Sequence, residues 1–267
     1  PIWGGIWRFA YSHQREAVEQ AQAPALGYFD MIGDPLSQAA ERASICLFLR
    51  GDLAPLTKSY TLALPEKALN TMRAKMPFNR TDWTWLAWYA RLGTIVSDTV
   101  PAGSTLGACY PEVYDLSSEA MEKQIAQQNP AWQPGDGALT IDRAAGTFTI
   151  RTARTCGGFA EQGELHADAL SFTVQRAPAT VWVSALDDQA ILTSKRLLLT
   201  HLTDIQNSNI HYAQRSLKVL TNWGHLPHLV RAGSAAVTLK LAQPKAYRVY
   251  ALAATGKRVQ EDRKSVV

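Results

Sequence analysis

The stretch Ile6-Trp7-Arg8-Phe9-Ala10-Tyr11-Ser12-His13 decides the reading of the chain, together with the run that opens at Gly33-Asp34-Pro35 and closes at Phe48-Leu49-Arg50-Gly51. Residues 6–11 are aromatic and apolar with one charge, bounded by Gly4-Gly5 and by polar residues, which is the pattern of a short buried strand. Asp34 can cap a helix, and Pro35 suits its first position, where no donor is needed. Leu36, Ala39, Ala40, Ala43, Cys46, Leu47 and Arg50 recur at helical spacing, and Gly51 can take the left-handed closing turn. Strand, polar loop and covering helix make one βα unit, and a parallel strand needs neighbours on both sides. Among the first 134 residues only 58–64 offers a further strand, and Lys58, Ser59 and Tyr60 there suit a sheet edge. The strand at 6–11 is therefore expected to pair with another chain, or to be irregular and packed on the second half.

Working outward, 267 residues with 46% apolar and 19% charged side chains describe a globular chain. The net charge of +4 is small and its basic residues are scattered, without aromatic interleaving, so nucleic acid is excluded as a partner. The basic tail, Lys257-Arg258 with Arg263-Lys264, reads as a solvated end. No apolar run approaches the roughly 20 residues that span a bilayer, so no membrane partner is expected. The three cysteines lack metal or thioredoxin spacing; Cys46 reads as a small core residue, and Cys109 with Cys156 as a possible disulfide. Tryptophan is the compositional outlier with eight copies, and Trp83, Trp85 and Trp88 read as core residues or as sugar-stacking platforms.

Pro65 begins a second expected helix over 65–72 and Asp82 a third over 83–92, closed by Gly93. Residues 98–116 read as loop and 117–128 as a short polar helix. Pro134-Gly135-Asp136-Gly137 then marks a change of composition. Strands are expected at 139–142, 147–152, 170–174, 179–186, 196–203, 236–241 and 247–251, with turns at 143–146 and 255–258. The fold class is thus α/β followed by all-β: 1–134 an incomplete βα-barrel segment with a helical linker layer, 135–267 an antiparallel β-sandwich in which Trp182 and Trp223 pack.

Chemistry is sparse. His225 and His228 flank Leu226-Pro227 and read as loop, and Asp187-Asp188 as turn material. There is no phosphate loop and no nucleophile elbow, and no cofactor is implied. His201, Asp204 and His211 would have to converge for an enzyme complete within the chain. Tyr11, Ser12 and His13 fall at the C-terminal end of the first strand, where a βα-barrel keeps its active site.

The pieces 7–13, 34–43, 48–52 and 88–93 resemble the closing segment of a retaining glycoside hydrolase barrel, of the type of large bacterial polysaccharide-degrading and β-galactosidase-like enzymes. Ala185-Leu186-Asp187-Asp188, 194–200, Asn222-Trp223-Gly224-His225-Leu226-Pro227 and 249–252 are similar to the C-terminal β-sandwich behind such barrels. The resemblance implies hydrolysis of β-linked sugars by double displacement, with a carbohydrate substrate and an extracellular or periplasmic location. It also implies that both catalytic glutamates precede the eighth strand. If 6–11 is that strand, they lie upstream of Pro1, and Glu16, Glu19 and Glu41 match neither. A missing N-terminal barrel portion or another chain is then an expected partner. Trp7 or Tyr11 would stack on the sugar, and His13 would hydrogen-bond a hydroxyl. The alternative is a non-catalytic carbohydrate-binding or interaction module.

Overall fold

The computed structural model describes residues 35–69, 87, 90–104, 106–109, 123, 137–142, 144–244, 247–253 and 256–262. The expected strand at 6–11 and most of the helices expected at 83–92 and 117–128 lie outside them. Two compact units emerge, one built on Leu53–Thr140 and the other on Ile141–Val267 together with the described residues up to Asp52.

Helix α1 (Pro35–Ser44), described from the expected proline onward, runs on into a π-helical turn, Ile45–Leu49. Its end is a widened version of the usual left-handed closure: Gly51 has φ 73°, its N–H donates to Phe48 O at 3.2 Å, and Asp52 N donates to Cys46 O at 3.2 Å. Of the expected apolar face, Cys46 is buried and Leu36, Ala39, Ala43 and Leu47 are half-buried, whereas Ala40 is exposed.

In the first unit, β1 (Ser59–Leu64) leads into helical residues, α2 (Glu66–Leu69), within the helix expected over 65–72, whose residues 70–72 lie outside the described ones. Strands β2 (Arg91–Val96) and β3 (Leu106–Cys109) flank β1, and both pair with it in parallel. Three expectations are corrected here. Residues 58–64 are not an edge: β1 is the centre of this three-stranded sheet, with Tyr60 only 2% exposed. Arg91 and Leu92 begin a strand where a helix end was expected, because Thr94-Ile95-Val96 adds β-branched residues that favour the pleat. Leu106–Cys109 is a strand inside the expected loop. Among the described residues there is no closed barrel and no layer of helices, so those parts of the expected architecture are not met.

The second unit is built of antiparallel pairs. Strands β4 (Leu139–Asp142), β5 (Thr147–Arg151), β6 (Thr155–Ala160), β7 (Gly163–Ala167), β8 (Leu170–Arg176), β9 (Ala179–Ala185) and β10 (Leu197–Leu202) follow in order. After them come β11 (Ile205–Ser208), β12 (His211–Tyr212), β13 (Leu220–Asn222), β14 (His225–Val230), β15 (Ser234–Leu239), β16 (Val249–Leu252) and β17 (Arg258–Asp262). One sheet has five strands in the order β10-β9-β6-β5-β4 and another three in the order β15-β8-β7. Cys156 and Ala160 of β6 and Val181 and Val183 of β9 meet Leu165, Ala167, Leu170 and Phe172 of β7 and β8 in one core. The all-β expectation for the second half is therefore met at the level of antiparallel sheets.

Local chemistry explains several turns. Asp142 Oδ1 accepts the N–H groups of Ala144 and Ala145, each at 2.9 Å, and Gly146 supplies φ 62° before β5. Gly256, at φ 80°, turns β16 into β17, and the Arg258 guanidinium lies 4.2 Å from the centre of the Tyr250 ring. Gly157 lies in the centre of the larger sheet at φ 141°, a conformation that leaves no room for a side chain. A Cβ there would fall 2.2 Å from Val181 O.

Cys156 is a free thiol pointing into the core, so the possible bridge to Cys109 is not formed. Burial pushes its pKa up to about 11, the mark of a structural and unreactive cysteine.

Candidate functional site

Trp7, Tyr11 and His13, the expected sugar contacts, lie outside the described residues, as do Trp83, Trp85, Trp88, Glu16 and Glu19. Glu41 is on α1 and half-buried. The complete-enzyme constellation does not form. Asp204 pairs with Arg231 at 3.3 Å, while His201 lies on β10 and His211 on β12, with no hydrogen bond or ion pair joining the three. Among the described residues no cluster of His, Cys, Asp and Glu is built to hold a metal, and no helix is long and apolar enough to cross a membrane.

Two polar constellations do form in the second unit. The first is centred on Asp52, whose side chain is fully buried. Both Nε and Nη2 of Arg50 donate to its carboxylate, the former at 2.8 Å. Thr155 Oγ1 donates to it at 2.8 Å, and Arg154 Nε approaches to 3.7 Å. Arg50 also donates through Nη1 to the carbonyl of Ala185, and the hydrogen bond to Asp52 raises its pKa above the ordinary value. The closing turn of the helix is thereby bolted onto the outer side of the larger sheet, on the same face as Ser184 and Trp182. Trp182 is 2% exposed, so its expected role in packing holds.

The pair Asp187-Asp188 completes this corner as structure. Asp187 Oδ1 accepts from Gln189 N at 3.2 Å and Oδ2 from Lys195 N at 2.9 Å. Slight desolvation pushes this carboxyl up, but the hydrogen bonds from Ser194, Lys195 and Gln189 outweigh it and hold the pKa below the ordinary range. Asp188 is exposed and pairs with Arg154 at 3.2 Å. Neither aspartate is poised for acid–base work.

The second constellation is the segment Asn222-Trp223-Gly224-His225-Leu226-Pro227-His228, expected as a loop. From His225 onward it is strand β14, antiparallel to β11, with a bulge that skips Leu226 and Pro227 between the His228–Asn207 and His225–Ser208 pairings. Pro227 has no N–H for a ladder, and the bulge removes the need for one. Asn207, 2% exposed, donates through Nδ2 to Trp223 O at 2.7 Å, and its Oδ1 lies 3.1 Å from His228 Nδ1. Asn209 Nδ2 lies 2.8 Å from His225 Nε2. Trp223 itself is 46% exposed. The expectation that it packs inside the fold is corrected: its backbone is anchored, while its indole meets solvent. Residues 207–209 were missed as partners because β11 is short and polar, without apolar alternation to announce it.

A cleft of about 320 Å³ opens beside the β7–β8 turn, lined by Arg151, His166, Asp168, Ser171 and Lys240 among others. Charges of both signs line it, and its arginine is already engaged with His166 O at 3.1 Å.

Comparison of the chain with protein-family models, curated proteins and solved structures finds no match.

Proposed function

We propose that this chain is the C-terminal, non-catalytic portion of a glycoside hydrolase that cleaves β-linked sugars or polysaccharide by double displacement. In this reading 34–52 belongs to the closing unit of the barrel, and the antiparallel sheets are the sandwich behind it. The nucleophile and acid/base carboxylates come from outside these residues. The observation that carries the proposal is the Asp52 corner. Two stretches resembling different parts of such enzymes, 48–52 and 185–188, are joined there through Arg50, Arg154 and the carbonyl of Ala185. Further support comes from the π-helical turn, where Cys46 is buried while Ile45, Phe48 and Leu49 are 45%, 40% and 73% exposed. A helix lying between a barrel and a sandwich needs an apolar face on each side.

Retention requires two carboxyl groups roughly 5–5.5 Å apart. Asp52, the most buried carboxylate among the described residues, is committed to Arg50, Arg154 and Thr155. The chain alone is therefore expected to release no nitrophenol from aryl β-glycosides. Protein expressed from the reading frame extended upstream of Pro1 is expected to do so, and to lose the activity on substitution of one of two upstream glutamates by glutamine. Turnover by the 267-residue chain, abolished by substituting an acidic residue within it, would overturn the proposal.

A further inference from the structure

We infer that the Asn222-Trp223-Gly224-His225 loop is a sugar-binding platform, on which the Trp223 indole stacks against a neutral, β-linked glycan chain. The inference goes beyond the proposed function, since this loop lies on the antiparallel sheets and takes no part in bond cleavage.

The first observation is the contrast within one residue. The carbonyl of Trp223 is fixed from inside by Asn207, itself 2% exposed, while Trp223 as a whole is 46% exposed. An indole left partly in water offers an apolar face whose burial against a ligand is favourable. The second observation is rigidity. Gly224 has φ 72°, and a Cβ there would lie 2.2 Å from Ser208 O, so the loop and the 208–210 turn are pressed together. Asn222 Oδ1 accepts the Gly224 N–H at 2.8 Å. Asn209, on the facing turn, holds φ 56°, a conformation that non-glycine residues adopt at a cost. A backbone constrained on both sides of an exposed aromatic ring is preorganised to present it.

The third observation is the chemistry of the rim. Residues 222–228 and 207–209 contain no lysine, arginine or carboxylate. Their polar groups are amides, hydroxyl and imidazole, with Asn209 and His225 both exposed and bonded to each other. Uncharged donors and acceptors beside an apolar face match a neutral pyranose, whose C–H face can stack while its hydroxyls hydrogen-bond. They do not match a phosphate or an acidic polymer, which would call for arginine or lysine. β-Linked chains with equatorial substituents offer such flat C–H faces.

The test is affinity electrophoresis of the full chain through gels containing xylan, galactan, mixed-linkage β-glucan or hydroxyethylcellulose. Retardation by at least one polymer is expected. Trp223→Ala should raise the apparent Kd about tenfold or more, and Trp223→Phe should retain part of the binding. In parallel, iodide should quench a fraction of the tryptophan emission that the retarding polymer protects, and Trp223→Phe should lack that fraction; this measurement stands if the alanine variant fails to fold. No retardation by any of the four polymers would overturn the inference, as would undiminished retardation of a folded Trp223→Ala protein or absence of a protected fraction. Binding without turnover leaves the glycosidase proposal standing, and turnover by this chain would overturn that proposal without touching the platform.

Discussion

The Thr155 hydroxyl donates at 2.8 Å to the carboxylate of Asp52, 103 positions earlier in the chain. The same oxygen receives Arg50 Nη2 at 3.1 Å and lies 3.1 Å from Ser184 Oγ. Its single proton goes to Asp52, so Ser184 is the donor in that last contact and the hydroxyl's capacity is filled. A helix end is thus joined to the centre of a sheet through a buried charge whose hydrogen bonds are satisfied.

Removal of the carboxylate is expected to cost more than any one of those bonds is worth. Asp52→Ala removes the carboxylate that Arg50 and Arg154 both face; Arg154 keeps Asp188 at 3.2 Å, but Arg50, 22% exposed, regains only part of its hydration. Loss of about 2–4 kcal/mol is expected, below the top of the range for fully buried pairs. Thr155→Val, of nearly the same shape, should cost about 1–3 kcal/mol by leaving Asp52 and Ser184 each one partner short. Urea unfolding of the full chain measures both, and wild-type midpoints would contradict this account of the corner.

How much of this was legible in sequence follows from where the signals were local. The helix at 35–50 carries its own punctuation in Pro35 and Gly51, and the strands at 139–142, 147–151, 170–176 and 179–185 alternate between bounded turns. Asp52 gave no such signal: it resembles any polar residue after a helix until the sheet brings Thr155 to it. Strand β6 is not legible in sequence because Thr155-Cys156-Gly157-Gly158-Phe159-Ala160 carries two glycines that ordinarily argue against a strand interior. Tyr60 reads as an edge residue because its polar neighbours outweigh the apolar Leu62-Ala63-Leu64 that follows. Sequence favours a loop at His225 because Pro227 breaks a ladder, and nothing local announces that a bulge bypasses it.

Gly157 is expected to be intolerant of any side chain. At Gly157→Ala the new methyl would meet Val181 O at 2.2 Å and Trp182 Cα at 2.5 Å, both backbone atoms of the paired strand β9. Neither can move without breaking the β6–β9 ladder. A cost of about 3 kcal/mol or more is expected, in the range reserved for strained or overpacked core sites. A cooperative melt of Gly157→Ala within a degree or two of wild type would show that β6 does not run as described.

Alkaline stability follows from Cys156. The thiol's pKa rises from an ordinary 9.0 to about 11 in the fold, because burial disfavours the thiolate. Between those values the unfolded chain releases a proton that the folded chain retains. Stability is therefore fully present below about pH 9 and falls as pH rises toward 11, by roughly 2–3 kcal/mol in all. Tyr60, raised from 10.0 to about 12 by burial, adds a similar decline in the first unit at higher pH. Urea midpoints of the second unit should fall across pH 9–11 in wild type and stay flat over that window in Cys156→Ala. An equally steep fall in the variant would assign the effect elsewhere.

Asn207 should prove to be a positioning residue for Trp223 whatever ligand the indole meets. Its Nδ2 satisfies the Trp223 carbonyl and its Oδ1 faces His228, so one buried amide ties strand β11 to both ends of the Trp223–His228 segment. Asn207→Leu fills a similar volume but leaves that carbonyl and the imidazole without their partner, at an expected cost of about 1–3 kcal/mol. Asn207→Asp keeps an acceptor toward His228 but sets a carboxylate oxygen against the Trp223 carbonyl, so it too should lower the midpoint. A merely structural amide would lower the unfolding midpoint and leave the native indole unchanged. Release of the Trp223 backbone should instead increase iodide quenching of the native protein, a change that Trp223→Phe abolishes in the double variant. If Asn207→Leu lowers the midpoint while native quenching stays at the wild-type level, Asn207 supports the β11–β14 pair and does not position the indole.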